Sequence, residues 1–130
     1  MKFMLIQAYG GVPEGTPPMG EWTPDEIEAH IRFQKDFNAE LRERGELVDA
    51  QGLAGPDLAK IVLATDGAPS VTDGPFAESK ELLAGYRMVD VDSPERAIEI
   101  AARSSAAPGP GGAPIRQEIE VREVMGPIEH

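Results

Sequence analysis

The sequence predicts an α+β domain in which an antiparallel-rich sheet carries two helices on one face. Three observations predict it: helix-start signals at residues 23–26 and 93–94, apolar runs of strand length elsewhere, and the element order β, α, β, β, a short extra β, β, α, β. At 130 residues the chain fits a single domain, residues 1–130, with one core.

The first strand is KFMLIQAY, residues 2–9, apolar on both alternating sets, Phe3 with Leu5 and Met4 with Ile6. Such a strand is covered on both faces. GGVPEGTPPMG then breaks regularity with glycine and proline, a surface loop of a size that is often functional or mobile. Thr23 can cap the first helix, Pro24 suits its first position, and Glu26 is spaced for a capping box. The helix should run from Pro24 to Arg44 and stop at Gly45. Steps of 100° place Ile27, Ile31, Phe33, Phe37 and Leu41 on one arc and Glu28, Arg32, Lys35, Asp36 and Glu43 opposite. The same steps put His30, Gln34 and Asn38 inside the apolar arc, a polar ladder on a buried face.

ELVDAQGL (46–53) and KIVLAT (60–65) read as strands, and SVTDGP (70–75) adds a short one ending in Asp-Gly. LLAGYRMVDV (82–91) is a long strand with apolar residues on both sides. SPERAIEIAARSS (93–105) repeats the Ser-Pro helix start, with Ala97, Ile98 and Ala101 inward. AAPGPGGAP (106–114) reads as a flexible, solvated connector, and IRQEIEVREV (115–124) as a strand with Ile115, Ile119 and Val121 inward. The simplest topology for this order is the ferredoxin-like βαββαβ arrangement with an extra short strand. Two helices cover one side of such a sheet, yet the strands around 3–6, 61–64 and 82–91 are apolar on both. A second copy packed sheet against sheet covers the other side at least cost, so a homodimer is expected.

The 23 acidic residues against 12 basic ones give a net charge of −11, which repels phosphate backbones and anionic lipid, so neither nucleic acid nor membrane is expected as a partner. The N-terminal apolar run breaks at Gln7, short of the ~7 to 15 residues of a signal-peptide core, and no stretch approaches the ~20 of a membrane span. A cytoplasmic protein is expected. The chain has no cysteine and two histidines, one of them His130 near the end of the chain. No transition-metal site is expected from that set. No nucleophile motif or phosphate-binding glycine pattern points to a cofactor.

His30 is the main candidate for chemistry. It is either a core histidine bonded to a backbone carbonyl or to Gln34, or a general acid/base, since imidazole titrates near neutral pH. Asp73 is the leading carboxylate: Asp-Gly-Pro is ordinary turn chemistry, but Phe76 should draw its loop onto the body and bring Asp73 along. The candidate ligand contacts are Gln34, Asn38, Phe76, Glu78 and Tyr86. Tyr86 and Arg87 point to opposite faces of their strand, so one of them at most should face a given pocket.

TDGPFAESKELLAGY followed by VDVDSPERAIEIAAR resembles the signature region of the DGPF-domain proteins, a branch of the YCII-related family; MKFMLIQAYG and IEVREV are similar too. The resemblance implies a ferredoxin-like unit that dimerises into an α/β barrel. It also implies a first-helix histidine, matched by His30, paired with an aspartate near the end of the second helix, for acid/base or lyase-like chemistry on a small molecule in a cleft. At that second position this chain has Ser104 and Ser105. For the branch, the resemblance further implies an extracytoplasmic-function sigma factor as a partner, in which case the chain is a regulatory interaction module with an acidic recognition surface.

Overall fold

In a computed structural model, residues 1–8, 10–73 and 83–127 are described. The elements are β1 (Lys2–Ala8), α1 (Pro24–Glu43), β2 (Leu47–Gly52), β3 (Lys60–Leu63), β4 (Ser70–Asp73), β5 (Leu83–Asp90), α2 (Pro94–Ser105) and β6 (Ile119–Glu123). Phe76 and Glu78 lie outside the described residues, as does most of the TDGPF stretch.

Four strands form one antiparallel sheet in the order β2-β5-β1-β6. With β1 and β5 in the centre and α1 and α2 contributing to one shared core, this mixed α+β architecture is compatible with a ferredoxin-like fold. The core is made by Phe3 and Leu5 of β1, Val89 of β5, Phe37 and Leu41 of α1, and Ile100 of α2. On the opposite face Met4 pairs with Met88 and Ile6 with Tyr86, and these side chains are half-buried.

Both helix starts follow the sequence chemistry. Thr23 accepts from the Glu26 amide at 3.2 Å while the Glu26 carboxylate accepts from the Thr23 amide at 2.8 Å, and Ser93 caps α2 through the Arg96 amide. Gly45, at φ +73°, takes the left-handed position that ends α1, where a Cβ would be strained.

Three expectations change. The strands β3 and β4 pair with each other and stand apart from the main sheet. Val62 and Leu63 are 63% and 67% exposed, so within the single chain neither side of this run is covered by the main core. In α2, Ile98 is 59% exposed and Ile100 is buried instead, because the inward stripe follows i, i+3, i+4, i+7 through Ala97, Ile100, Ala101 and Ser104. Finally, residues 106–114 are not a solvated spacer. Ala107 is buried, the Gly109 amide donates to Ala113 O at 2.8 Å, and the Ile115 amide donates to Ala107 O at 2.8 Å. The result is a tight backbone turn laid against α1.

Candidate functional site

A concavity of about 720 Å³ opens between α1, the β2–β5 end of the sheet and the loop before α1. The helix supplies His30, Gln34 and Asn38, at four-residue spacing on one face. The loop supplies Thr16, Pro17, Pro18 and Met19, and Trp22 anchors it: the indole is buried, donates to Pro17 O at 2.9 Å and meets the His30 ring edge-on, with centroids 5.5 Å apart. The glycine- and proline-rich stretch is therefore a wall of the concavity.

Arg87 enters from β5. Its strand position shares a face with Val89 and pairs with Leu5, so the side chain leaves the sheet on the helix side. Its Nε donates to Asn38 Oδ1 at 2.7 Å, Nη1 to Ser104 Oγ at 3.1 Å, and Nη2 to Gln34 Oε1. Gln7 Nε2 also donates to Ser104 Oγ, at 3.2 Å. The guanidinium lies 4.9 Å from the centre of the Phe37 ring. Burial pulls Arg87 down from the usual arginine range to about 10, which leaves it charged at neutral pH.

These bonds fix proton positions further along. Because Gln34 Oε1 accepts from Arg87, the Gln34 amide must aim its NH₂ group at His30 Nε2, 3.2 Å away. His30 Nε2 is then an acceptor. The other ring nitrogen, Nδ1, lies 2.9 Å from Pro108 O, which can only accept, so Nδ1 carries the proton. Polarity runs one way, from Arg87 through Gln34 and His30 to Pro108. The turn carrying Pro108 is tied down in its turn, since the Gly111 amide donates to Glu26 Oε2. That bond, ahead of those from Thr23, holds the Glu26 carboxyl below its ordinary range.

The structure thus brings His30, Gln34, Asn38 and Tyr86 to one concavity. It does not bring Asp73 there: Asp73 ends the exposed β3–β4 hairpin and pairs with Lys60 Nζ at 2.6 Å. The carbonyl of Pro108, not a carboxylate, orients the histidine. Tyr86 and Arg87 both border the concavity, but the Tyr86 hydroxyl is committed to Asp49 Oδ2 at 2.8 Å. That bond holds Asp49 below and Tyr86 above their ordinary ranges. Among the described residues no three His, Asp or Glu side chains converge as metal ligands, and no helix is long and apolar enough to cross a membrane.

Sequence reasoning passed over Arg87, Ser104 and Trp22 as site residues. Arg87 had a readable signal, a charge on the same strand parity as Val89 and Val91. Ser104, standing where the resemblance leads to an aspartate, follows from the i+7 position after Ala97.

The chain is similar to known proteins over most of its length. The family model for the YCII-related domain matches residues 1–124. A protein of Rhizobium meliloti (strain 1021), described as uncharacterized, is 33% identical over 96 residues, 73% of this chain and 77% of that protein.

Proposed function

The chain belongs to the YCII-related family, and from that premise we propose that it binds a small molecule in the concavity between α1 and the sheet and carries out acid/base chemistry there at His30. The observation that carries the reading is the His30, Gln34 and Asn38 ladder facing Arg87: a histidine of fixed tautomer, with an acceptor nitrogen, at the wall of the concavity. An amide such as Gln34 can turn from His30 to a ligand, which bares the Nε2 lone pair as a base. In this reading the protein is a cytoplasmic member of the DGPF branch. It is also a homodimer, closed across the sheet face that bears Met4, Ile6 and Met88 into an α/β barrel.

A screen of small molecules against wild type and His30→Gln tests the chemistry. Loss of turnover with retained binding supports it; unchanged turnover in the variant removes it. Sedimentation at micromolar concentration tests the dimer, and a particle of 14.0 kDa removes it.

A second reading, a regulatory module for an extracytoplasmic-function sigma factor, is favoured by the net charge of −11. A sigma factor that co-purifies at low salt and is lost at high salt supports it; a clean homodimer in pull-downs counts against it.

A further inference from the structure

We propose that the ligand of this concavity is a small organic monocarboxylate, and that Arg87 is the group that holds it. The proposal rests on reading the concavity as a small-molecule site, and it adds the chemical class.

Arg87 is 5% exposed. A charge taken that far from water ordinarily brings its counter-ion along. More exposed arginines of this chain do so: Arg96 and Arg44 share Glu46, Arg103 pairs with Glu40, and Arg32 with Glu28. Arg87 pairs with no carboxylate among the described residues. With 23 acidic residues in the chain, the reason is not a shortage of acids. Instead the fold surrounds this one guanidinium with neutral acceptors, the oxygens of Gln34, Asn38 and Ser104, and with a phenyl ring. Those groups satisfy N–H bonds and leave the positive charge whole.

The geometry selects the counter-ion. Gln34 and Ser104 each take one N–H from a terminal nitrogen, so each of these nitrogens keeps a second. Two donors in one plane match the two oxygens of a carboxylate. A phosphate or a dicarboxylate needs more positive charge than that, and Arg87 is the one Lys or Arg among the described residues lining the concavity. The net charge of −11 also disfavours multiply charged anions. The remaining wall, with Val12, Pro17, Met19 and Ile115, suits an apolar body behind the acid group.

The test titrates the full chain with acetate, pyruvate and benzoate, with their neutral amides, and with inorganic phosphate. Binding is read from thermal shift and from the Arg87 Nε–Hε signal in ¹⁵N NMR. The expected result is saturable binding of at least one carboxylate that moves the Arg87 signal, with its amide and phosphate binding at least ~10-fold more weakly. Arg87→Lys should weaken that carboxylate by a further ~10-fold or more, and Arg87→Met should abolish the effect. If Arg87→Met does not fold, the wild-type NMR titration decides. Amides that bind as tightly as the acids overturn the carboxylate and leave the small-molecule site standing. Phosphate binding as tightly as the acids overturns the class, and carboxylate binding that leaves the Arg87 signal in place overturns the residue. No response from any probe up to roughly 50 mM, beyond millimolar affinity, overturns the carboxylate, while the small-molecule site itself is decided by the broader screen against wild type and His30→Gln.

Discussion

Replacing Gln34 by glutamate probes the site at its hinge, because the change is nearly isosteric and puts a carboxylate beside Arg87. Gln34 Oε1 already accepts from Arg87 Nη2. The substitution converts a hydrogen bond from a charged donor to a neutral acceptor into an ion pair, so the contact with Arg87 is kept and strengthened. A bound carboxylate sharing the same guanidinium would lie about 5 Å from the introduced one. At an effective dielectric constant of about 20 that repulsion is about 3 kcal/mol, or roughly 100-fold in affinity. At the other end of the side chain, His30 Nε2 loses its amide donor. An imidazole held between two acceptors, Pro108 O and the introduced carboxylate, is stable with both nitrogens protonated. The variant is therefore expected to fold at least as stably as wild type, to lose acetate or pyruvate binding by roughly 100-fold, and to show a His30 ring doubly protonated at neutral pH. Calorimetric titration gives the affinity, and ¹⁵N NMR of the imidazole gives the protonation. Carboxylate affinity within threefold of wild type, together with an unchanged His30 ring spectrum, would refute the directional chain from Arg87 to His30.

Three further predictions concern the scaffold. Glu46 accepts from Arg96 through both oxygens at 2.9 Å and from Arg44 at 3.1 Å, and the Arg96 bond in particular holds its carboxyl below the ordinary range. A depressed carboxyl stabilises the fold above its unfolded pKa and loses that contribution as pH falls through the folded one. Glu46→Gln should thus cost about 1–3 kcal/mol in urea melts at pH 7, with the difference from wild type closing as pH falls below the ordinary glutamate range. At Gly85 a Cβ would sit 2.8 Å from the backbone oxygen of Gln51, so Gly85→Ala should force β2 from β5. A loss of at least ~1 kcal/mol is expected, with faster exchange of the Leu53 amide, which donates to Ala84 O at 2.9 Å. Finally, the isolated β3–β4 pair should exchange its amides orders of magnitude faster than β1–β5, since a two-stranded ribbon is marginal on its own. Equal protection in native-state exchange would contradict the separation of the two sheets.

The parts of this fold that were legible in the sequence are those written in side chains. The capping box of Thr23 and Glu26, the stop at Gly45 and the Ser93 cap are local chemistry, and the 100° arithmetic placed His30, Gln34 and Asn38 on one helical face. Partners across the concavity were harder to read. Strand periodicity at 60–65 cannot say which strand it joins, so the hairpin looked like part of the main sheet. The turn at 106–114 contributes through Pro108 O and the Gly111 amide, and backbone groups leave no residue-type signature. Its glycines and prolines, read as looseness, instead permit the sharp reversal. Arg87 was readable from strand parity, but its lack of a carboxylate emerges only once its neighbours are known.

The hairpin beyond β2 has a practical consequence. Because β3 and β4, among the described residues, pair with each other and not with the main sheet, the loop joining β3 to β4 can be lengthened, shortened or exchanged without rewriting the register of the four-stranded sheet. A fluorophore attached at Asp66, on the exposed loop joining β3 to β4, would give the protein a reporter that leaves its interior untouched. The same tolerance makes this excursion the natural place for related chains to diverge in length while keeping one scaffold.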